Sequence, residues 1–216
     1  MSTLYDLFTK GGPVMWPLFG LSVATFGCGL ERAIFWVRFL SQENRVAQEV
    51  LTAAQSDLAI AAQIAQRAAG LPIGRFLLAP LQLKRPNPET FRLALESTGD
   101  REFALMRQGN QLLETVVAIA PLLGLLGTVT GLILTFGSLK IGGGGAVGDV
   151  NNAAAGIGEA LITTATGMIV AILALVFFRI FVSLQVKQVE YFTDVGSQLE
   201  LIYRQVWVEP GQSSES

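Results

Sequence analysis

The chain has 216 residues, of which 51% are hydrophobic and 15% charged, and its mean hydropathy is +0.49. That balance is too apolar for an ordinary soluble domain of this size and makes a membrane protein the first expectation. The net charge of −2 comes from scattered residues of both signs with no basic run, which argues against nucleic acid as a partner, and the absence of histidine removes the commonest metal ligand and imidazole relay.

In chain order, the first apolar segment lies between Lys10 and Glu31 and includes "VMWPLFGLSVATFGCGL". A signal peptide would need a small-x-small cleavage site, which is lacking here, so the segment reads as a retained span over about 13–37. The region 39–114 is polar. Within it "NRVAQEVLTAAQSDLAIAAQIAQRAAG" is rich in good helix formers and predicts one helix up to Gly70, which "LAPLQLKRPNPET" then breaks. Asn87-Pro88-Glu89 predicts a helix start, with Asn as N-cap, Pro at the first helical position and an acid in the first turn. From there to Phe136 Pro121 is the one strong breaker, so a long helix, or two nearly collinear ones, is expected; at ~1.5 Å per residue it measures roughly 70 Å.

Two further spans follow, at about 115–138 and 152–178, each close to the ~20 residues that cross a hydrocarbon core. The Gly-rich "IGGGGAVGD" between them reads as a flexible link; no strand precedes it and its Lys comes before the glycines, so it is not a phosphate loop. The third helix is expected to continue through 179–207, with Val182, Val186, Val189, Phe192, Val195 and Leu199 at helical spacing, before a loose tail at 208–216. The positive-inside rule puts the first loop and the C-terminus in the cytoplasm and the N-terminus outside. The expected fold is therefore an all-α membrane protein, one domain over 1–216, with three spans and long cytoplasmic helical extensions.

In the second span Gly124, Gly127 and Gly131 mark one stripe where another backbone can approach, as in small-xxx-small packing. Thr128 and Thr130 add hydroxyls. In the third span Glu159 is followed by Thr163 and Thr166 on a narrow stripe, while Thr164 lies roughly 140° from the acid. An antiparallel turn near Ala146 would bring Thr128 level with Thr164, and Thr130 near the level of Glu159 and Thr163. A carboxylate in a bilayer core is costly, so Glu159 either makes a structural hydrogen bond to a neighbouring helix or belongs to an ion pathway; the threonines either return hydrogen bonds one turn back or line that pathway. One intramembrane acid makes a meagre relay, so repetition around an oligomer or a second protein is required. With one cysteine and no histidine, no Ser/His/Asp, Cys/His or metal constellation can be assembled, so an enzyme is disfavoured and no cofactor is expected.

The motifs "IAPLLGLLGTVTGLI" and "GIGEALITTATGMIVAI", with the opening "GGPVMWPLFGLSV", resemble the proton-channel family of TolQ, ExbB and MotA. Three spans and modest length look like ExbB or TolQ more than MotA. The resemblance implies an inner-membrane homopentamer around the membrane helices of an ExbD- or TolR-like partner, coupling proton-motive force to TonB- or TolA-type work at the outer membrane. It also assigns the pathway to Thr128, Glu159 and Thr164, with Thr163 a departure, since relatives usually carry Ala there. The alternatives are a flagellar or gliding stator subunit, or a non-conducting scaffold. Sodium in place of protons stays open, since Glu and Thr oxygens also ligate it.

Overall fold

The computed structural model describes residues 12–138 and 147–208. Every regular element among them is a helix: α1 Met15–Leu40, α2 Glu43–Ala54, α3 Leu58–Arg67, α4 Pro72–Leu81, α5 Pro88–Met106, α6 Asn110–Ser138 and α7 Val147–Ile202, followed by a π-helical turn, Tyr203–Val208. Three helical stretches are long and apolar enough to cross a membrane; they lie within Met15–Ala54, Pro88–Gly137 and Ala154–Val208. The glycine-rich link from 139, the turn expected at Ala146 and the tail beyond 208 lie outside the described residues.

The described residues form two compact units, each built from separate stretches of chain, with divisions at Glu31/Arg32, Gln108/Gly109 and Phe181/Val182. The spans expected from sequence end near 37, begin near 115 and end near 178. The first unit takes α1 to Glu31, all of α6, and α7 to Phe181. Pro121 lies inside α6 without ending it. The α6–α7 contact is a seam of small residues. A Cβ added at Gly124 would lie 3.0 Å from Thr164 Cα and 3.1 Å from the Thr163 carbonyl oxygen; one at Gly131 would lie 3.1 Å from Ala160 Cβ. On α7, a Cβ at Gly167 would lie 2.5 Å from the Ala120 carbonyl oxygen, and one at Gly156 would run into Thr135 Oγ1. Backbones approach this closely only where side chains are missing, and such contact drives helix association in lipid. On another side of α7, Phe177 fills the space beside Gly29 of α1 and meets Phe26 edge-on at 6.5 Å.

The second unit takes the end of α1, α2 to α5, and α7 from Val182 onward. Its core is aromatic. Phe192 is fully buried, with ring centroids 4.9 Å from Phe76, 5.4 Å from Phe103 and 6.3 Å from Phe39. Gly99 and Gly196 leave room for Phe76 between α5 and α7; a Cβ at Gly196 would lie 2.9 Å from its Cζ. Burying a side chain the size of Phe contributes ~1.5–3 kcal/mol. Glu102, almost fully buried, is held by two short bonds from Arg75, 2.7 Å from Nε and 2.6 Å from Nη2, and those bonds push the guanidinium pKa up. At the end of the chain Tyr203 stacks on Phe91 at 4.3 Å and donates to the Pro86 carbonyl, while Trp207 Nε1 donates to the Ala54 carbonyl, 3.0 Å.

Two expectations need correction here, and a third is narrowed. The segment up to Gly70 is two helices, because Asp57 accepts from the amides of Ala59 (2.7 Å) and Ile60 (3.3 Å) and caps α3 where continuous helix was expected. "PIGRFLLAPL" is helix α4, with Pro72 in its first turn and Pro80 near its end; the chain breaks after it, at 82–87. The stretch from Pro88, expected as one long helix or two, is two helices that part at Gly109, whose φ of 84° is a left-handed conformation that suits glycine; Pro121 does not interrupt the second. The start at Asn87 is as expected: Asn87 accepts from the Thr90 amide at 2.7 Å, with Pro88 at the first position. On α7, Phe192, Val195 and Leu199 are buried as the spacing predicts, but Val186 is exposed and Gln188 is buried in its region.

Candidate functional site

The α6–α7 pair carries all of the residues that the sequence singles out. Helical periodicity puts Gly124, Gly127 and Gly131 on one face of α6, and Gly156, Ala160, Thr163 and Gly167 on one face of α7. The two stripes face each other. Gly124 is bracketed by Thr164 and Gly167, which puts the antiparallel register within one turn of the expected one, about 5.4 Å.

Thr163 sits inside this seam. It is 1% exposed, its hydroxyl donates to the Ala160 carbonyl at 2.8 Å, and an added Cβ at Gly127 would lie 2.6 Å from Thr163 Cβ. Thr164, one residue on, does something else: its hydroxyl crosses to α6 and donates to the Gly124 carbonyl, 2.8 Å. That bond satisfies the hydroxyl on a carbonyl of the facing helix where the two backbones come close. Thr128, half-buried, donates to the Leu125 carbonyl at 2.6 Å, and Thr130 to Leu126 and Gly127 carbonyls at 3.0 and 3.1 Å. Two residues apart on a helix, Thr128 and Thr130 point to different sides. Thr166 donates to the Ile162 carbonyl, 2.8 Å.

Glu159 is half-buried on the side of α7 that also bears Phe177, toward α1. Its Oε1 occupies the space where Gly12 would carry a Cβ, and Gly12 has a φ of +66°, so both the backbone and the room for the carboxylate favour glycine there. Among the described residues the carboxylate makes no hydrogen bond to Thr128, Thr130 or Thr164. Within the chain, then, Thr164 and Thr163 belong to the α6–α7 contact, Glu159 belongs to the α1–α7 side, and Thr128 flanks the seam on α6. The outer faces of both helices are apolar and open: Leu122, Val129 and Ile133 on α6, and Leu161, Met168, Ile169 and Ile172 on α7.

Sequence reasoning missed Gly12, Gly156, Gly167 and Thr135. For the two α7 glycines a signal existed, since Gly156, Ala160, Thr163 and Gly167 recur at four, three and four; for Gly12 the signal is "GGP", and its positive φ is not readable from the chain.

Residues 68–194 match the model of the MotA/TolQ/ExbB proton channel family. The chain belongs to that family. It is 61% identical over 209 residues, 97% of this chain and 82% of the relative, to a biopolymer transport protein named ExbB-like 1 in Synechocystis sp.. It is 37% identical over 200 residues, covering 93% of this chain and 95% of the relative, to one named ExbB-like 3 from the same organism. The biopolymer transport protein ExbB of Xanthomonas campestris pv. campestris is 45% identical over 89 residues, 41% of this chain and 34% of that protein. The family match spans both α6 and the part of α7 that carries Glu159, Thr163 and Thr164, and the family is one of proton channels, with which three helices of membrane-crossing length agree.

Proposed function

We propose that this MotA/TolQ/ExbB family member is a subunit of an inner-membrane proton channel that couples proton-motive force to mechanical work. Five copies form a ring around the membrane helices of an ExbD- or TolR-like single-span protein, with the N-terminus outside and the C-terminus in the cytoplasm. The work is passed on to a TonB- or TolA-like protein. The observation that carries this reading is the half-buried Glu159 carboxylate in a membrane-length helix of a proton-channel family. An ionisable group there is expensive in lipid and faces protein or water. A single subunit supplies one such acid, so the path needs the ring and the partner to complete it.

In this reading the residues divide the task. Glu159 shapes and hydrates the path or assists transfer; Thr128 lends a hydroxyl at the edge of the seam; Thr164, through its bond to the Gly124 carbonyl, fixes the spacing of the two pore helices. Thr163 fills the seam against Gly127, with its hydroxyl bonded within α7. The lipid-facing and ring-facing surfaces are the open apolar sides of α6 and α7.

The test is proton flux in liposomes holding this chain together with a single-span partner that carries a membrane Asp. Flux is expected with both proteins and not with either alone. Glu159→Gln and Thr164→Val should each lower it while the mass of the intact complex stays the same. Full flux in both variants would remove the pathway assignment, and a native mass would fix the number of copies.

A further inference from the structure

In the second unit a carboxylate is buried where no cation accompanies it. Glu43 is the first residue of α2, the place where an acid usually faces solvent and favours the helix N-terminus. Here it is turned inward and only 5% exposed. Its Oε1 accepts from Gln188 Nε2 at 3.0 Å. Its Oε2 has no partner, and neither has the Oε1 of Gln188, itself 3% exposed, nor the buried hydroxyl of Tyr191 one turn further along α7. Two of these three atoms are acceptors of one hydrogen-bonded pair of planar groups, and the third, the Tyr191 hydroxyl, donates to neither. Buried polar atoms are rarely left so, because each lost hydrogen bond is destabilising.

One proton satisfies both acceptors. A neutral carboxylic acid and a primary amide can close a ring of two hydrogen bonds, with the amide N–H donating to the acid's carbonyl oxygen and the acid's O–H donating to the amide oxygen. We propose that Glu43 and Gln188, beside Tyr191, form a proton-binding site that latches α2 to α7: protonation of Oε2 completes the ring, and loss of that proton leaves a buried charge held by a single neutral donor. The proton comes from solvent and returns to it, and nothing is oxidised or reduced.

The charged groups on the surrounding elements do not compensate the charge. On α2, Arg45 pairs with Glu49 at 2.9 Å on the exposed side. On α4, Arg75 is bound to Glu102 and to the Ala69 carbonyl. Asp57, before α3, caps that helix, and Arg67 ends it. On α7, Lys187, Glu190 and Asp194 are exposed. Among the described residues none forms an ion pair with Glu43. Burial raises the Glu43 carboxyl above its ordinary range, more than the Gln188 bond lowers it. Burial, with the nearby Glu43 and Asp194 charges, pushes the Tyr191 phenol up to about 12, so it stays protonated. A carboxyl raised on folding contributes stability in full below its unfolded value, about 4.3, and loses it as pH rises through the folded value. The latch therefore tightens in acid and loosens in base.

The site uses no residue of the channel assignment, and its test does not need proton flux. The full chain in detergent is titrated with pH and followed by infrared spectroscopy of the protonated carboxyl stretch, with thermal unfolding measured in parallel. Wild type should keep, above the ordinary glutamate value of about 4.3, a protonated carboxyl band that is absent in Glu43→Gln. Because the amide introduced by that substitution can form the same ring with Gln188 through its own N–H, the variant should match wild type in acid and show a smaller loss of midpoint between acid and alkaline pH. Tyr191→Phe should keep the band. If every glutamate carboxyl of the labelled wild type titrates in the ordinary range near about 4.3, or if Glu43→Gln is destabilised equally at every pH, the latch is refuted.

Discussion

Gly127→Ala tests the seam directly. The added methyl carbon would lie 2.6 Å from Thr163 Cβ and 3.1 Å from its Cγ2, and would run into Oγ1 as well. Rotating Thr163 moves Oγ1 and Cγ2 but not Cβ, which is fixed to the backbone, so the two helices themselves must part. Overpacking of this kind costs ~1–3 kcal/mol. Replacing glycine in a helix by alanine also gains up to ~1 kcal/mol from backbone propensity, so the comparison needs glycines that share the gain without the clash. Gly20 in α1 and Gly158 in α7 have, among the described residues and apart from their own helix backbone and chain neighbours, no atoms within 4 Å of an added Cβ. Gly131→Ala, at 3.1 Å from Ala160 Cβ, should fall between. Unfolding of the purified chain by titration with a denaturing detergent should rank Gly127→Ala as the least stable, ~1–3 kcal/mol below the two controls. If Gly127→Ala were as stable as Gly20→Ala and Gly158→Ala, the helices would not be held at this spacing, and the place given to Thr163 would be wrong.

A second pair isolates a single contact. Gly156→Ala should be destabilising because its methyl meets Thr135 Oγ1, while Thr135→Ala in the same chain leaves an ordinary 3.4 Å contact; a double-mutant cycle should show coupling of ~0.5–3 kcal/mol, and additive effects would deny the contact. Phe192→Ala removes the ring that joins Phe39, Phe76 and Phe103, and should cost ~3–5 kcal/mol in thermal or denaturant unfolding. Asp57→Ala removes both capping bonds of α3 and should cost ~0.5–2 kcal/mol, with faster amide exchange at Ala59 and Ile60 than elsewhere in the helix.

Much of the second unit was misread for local reasons. Alanine and glutamine favour helix throughout 44–66, and the competing signal is a single side chain, Asp57, whose value as a cap depends on the two amides it reaches. Pro80 looked like a breaker, yet near the end of a ten-residue helix it displaces little of the hydrogen-bond ladder. Gly109 was visible, but a lone glycine between polar residues does not announce a left-handed φ. Asn87-Pro88-Glu89 was legible because cap, proline and acid all act within one turn.

For the apolar helices the sequence by itself determined that α6 and α7 carry stretches long and apolar enough to cross a membrane, that Gly124, Gly127 and Gly131 share a face, and that Glu159 and Thr164 lie well apart around α7. Those follow from composition and the 3.6-residue period, which need no knowledge of neighbours. Which face meets which partner was decided by the tertiary structure. It set Thr163 into the glycine seam, carried the Thr164 hydroxyl across to the Gly124 carbonyl, and put Glu159 beside Gly12. A helical wheel fixes angles within one helix; the angle between two helices, and so the partner of each side chain, comes from the closest packing that the small residues on both permit.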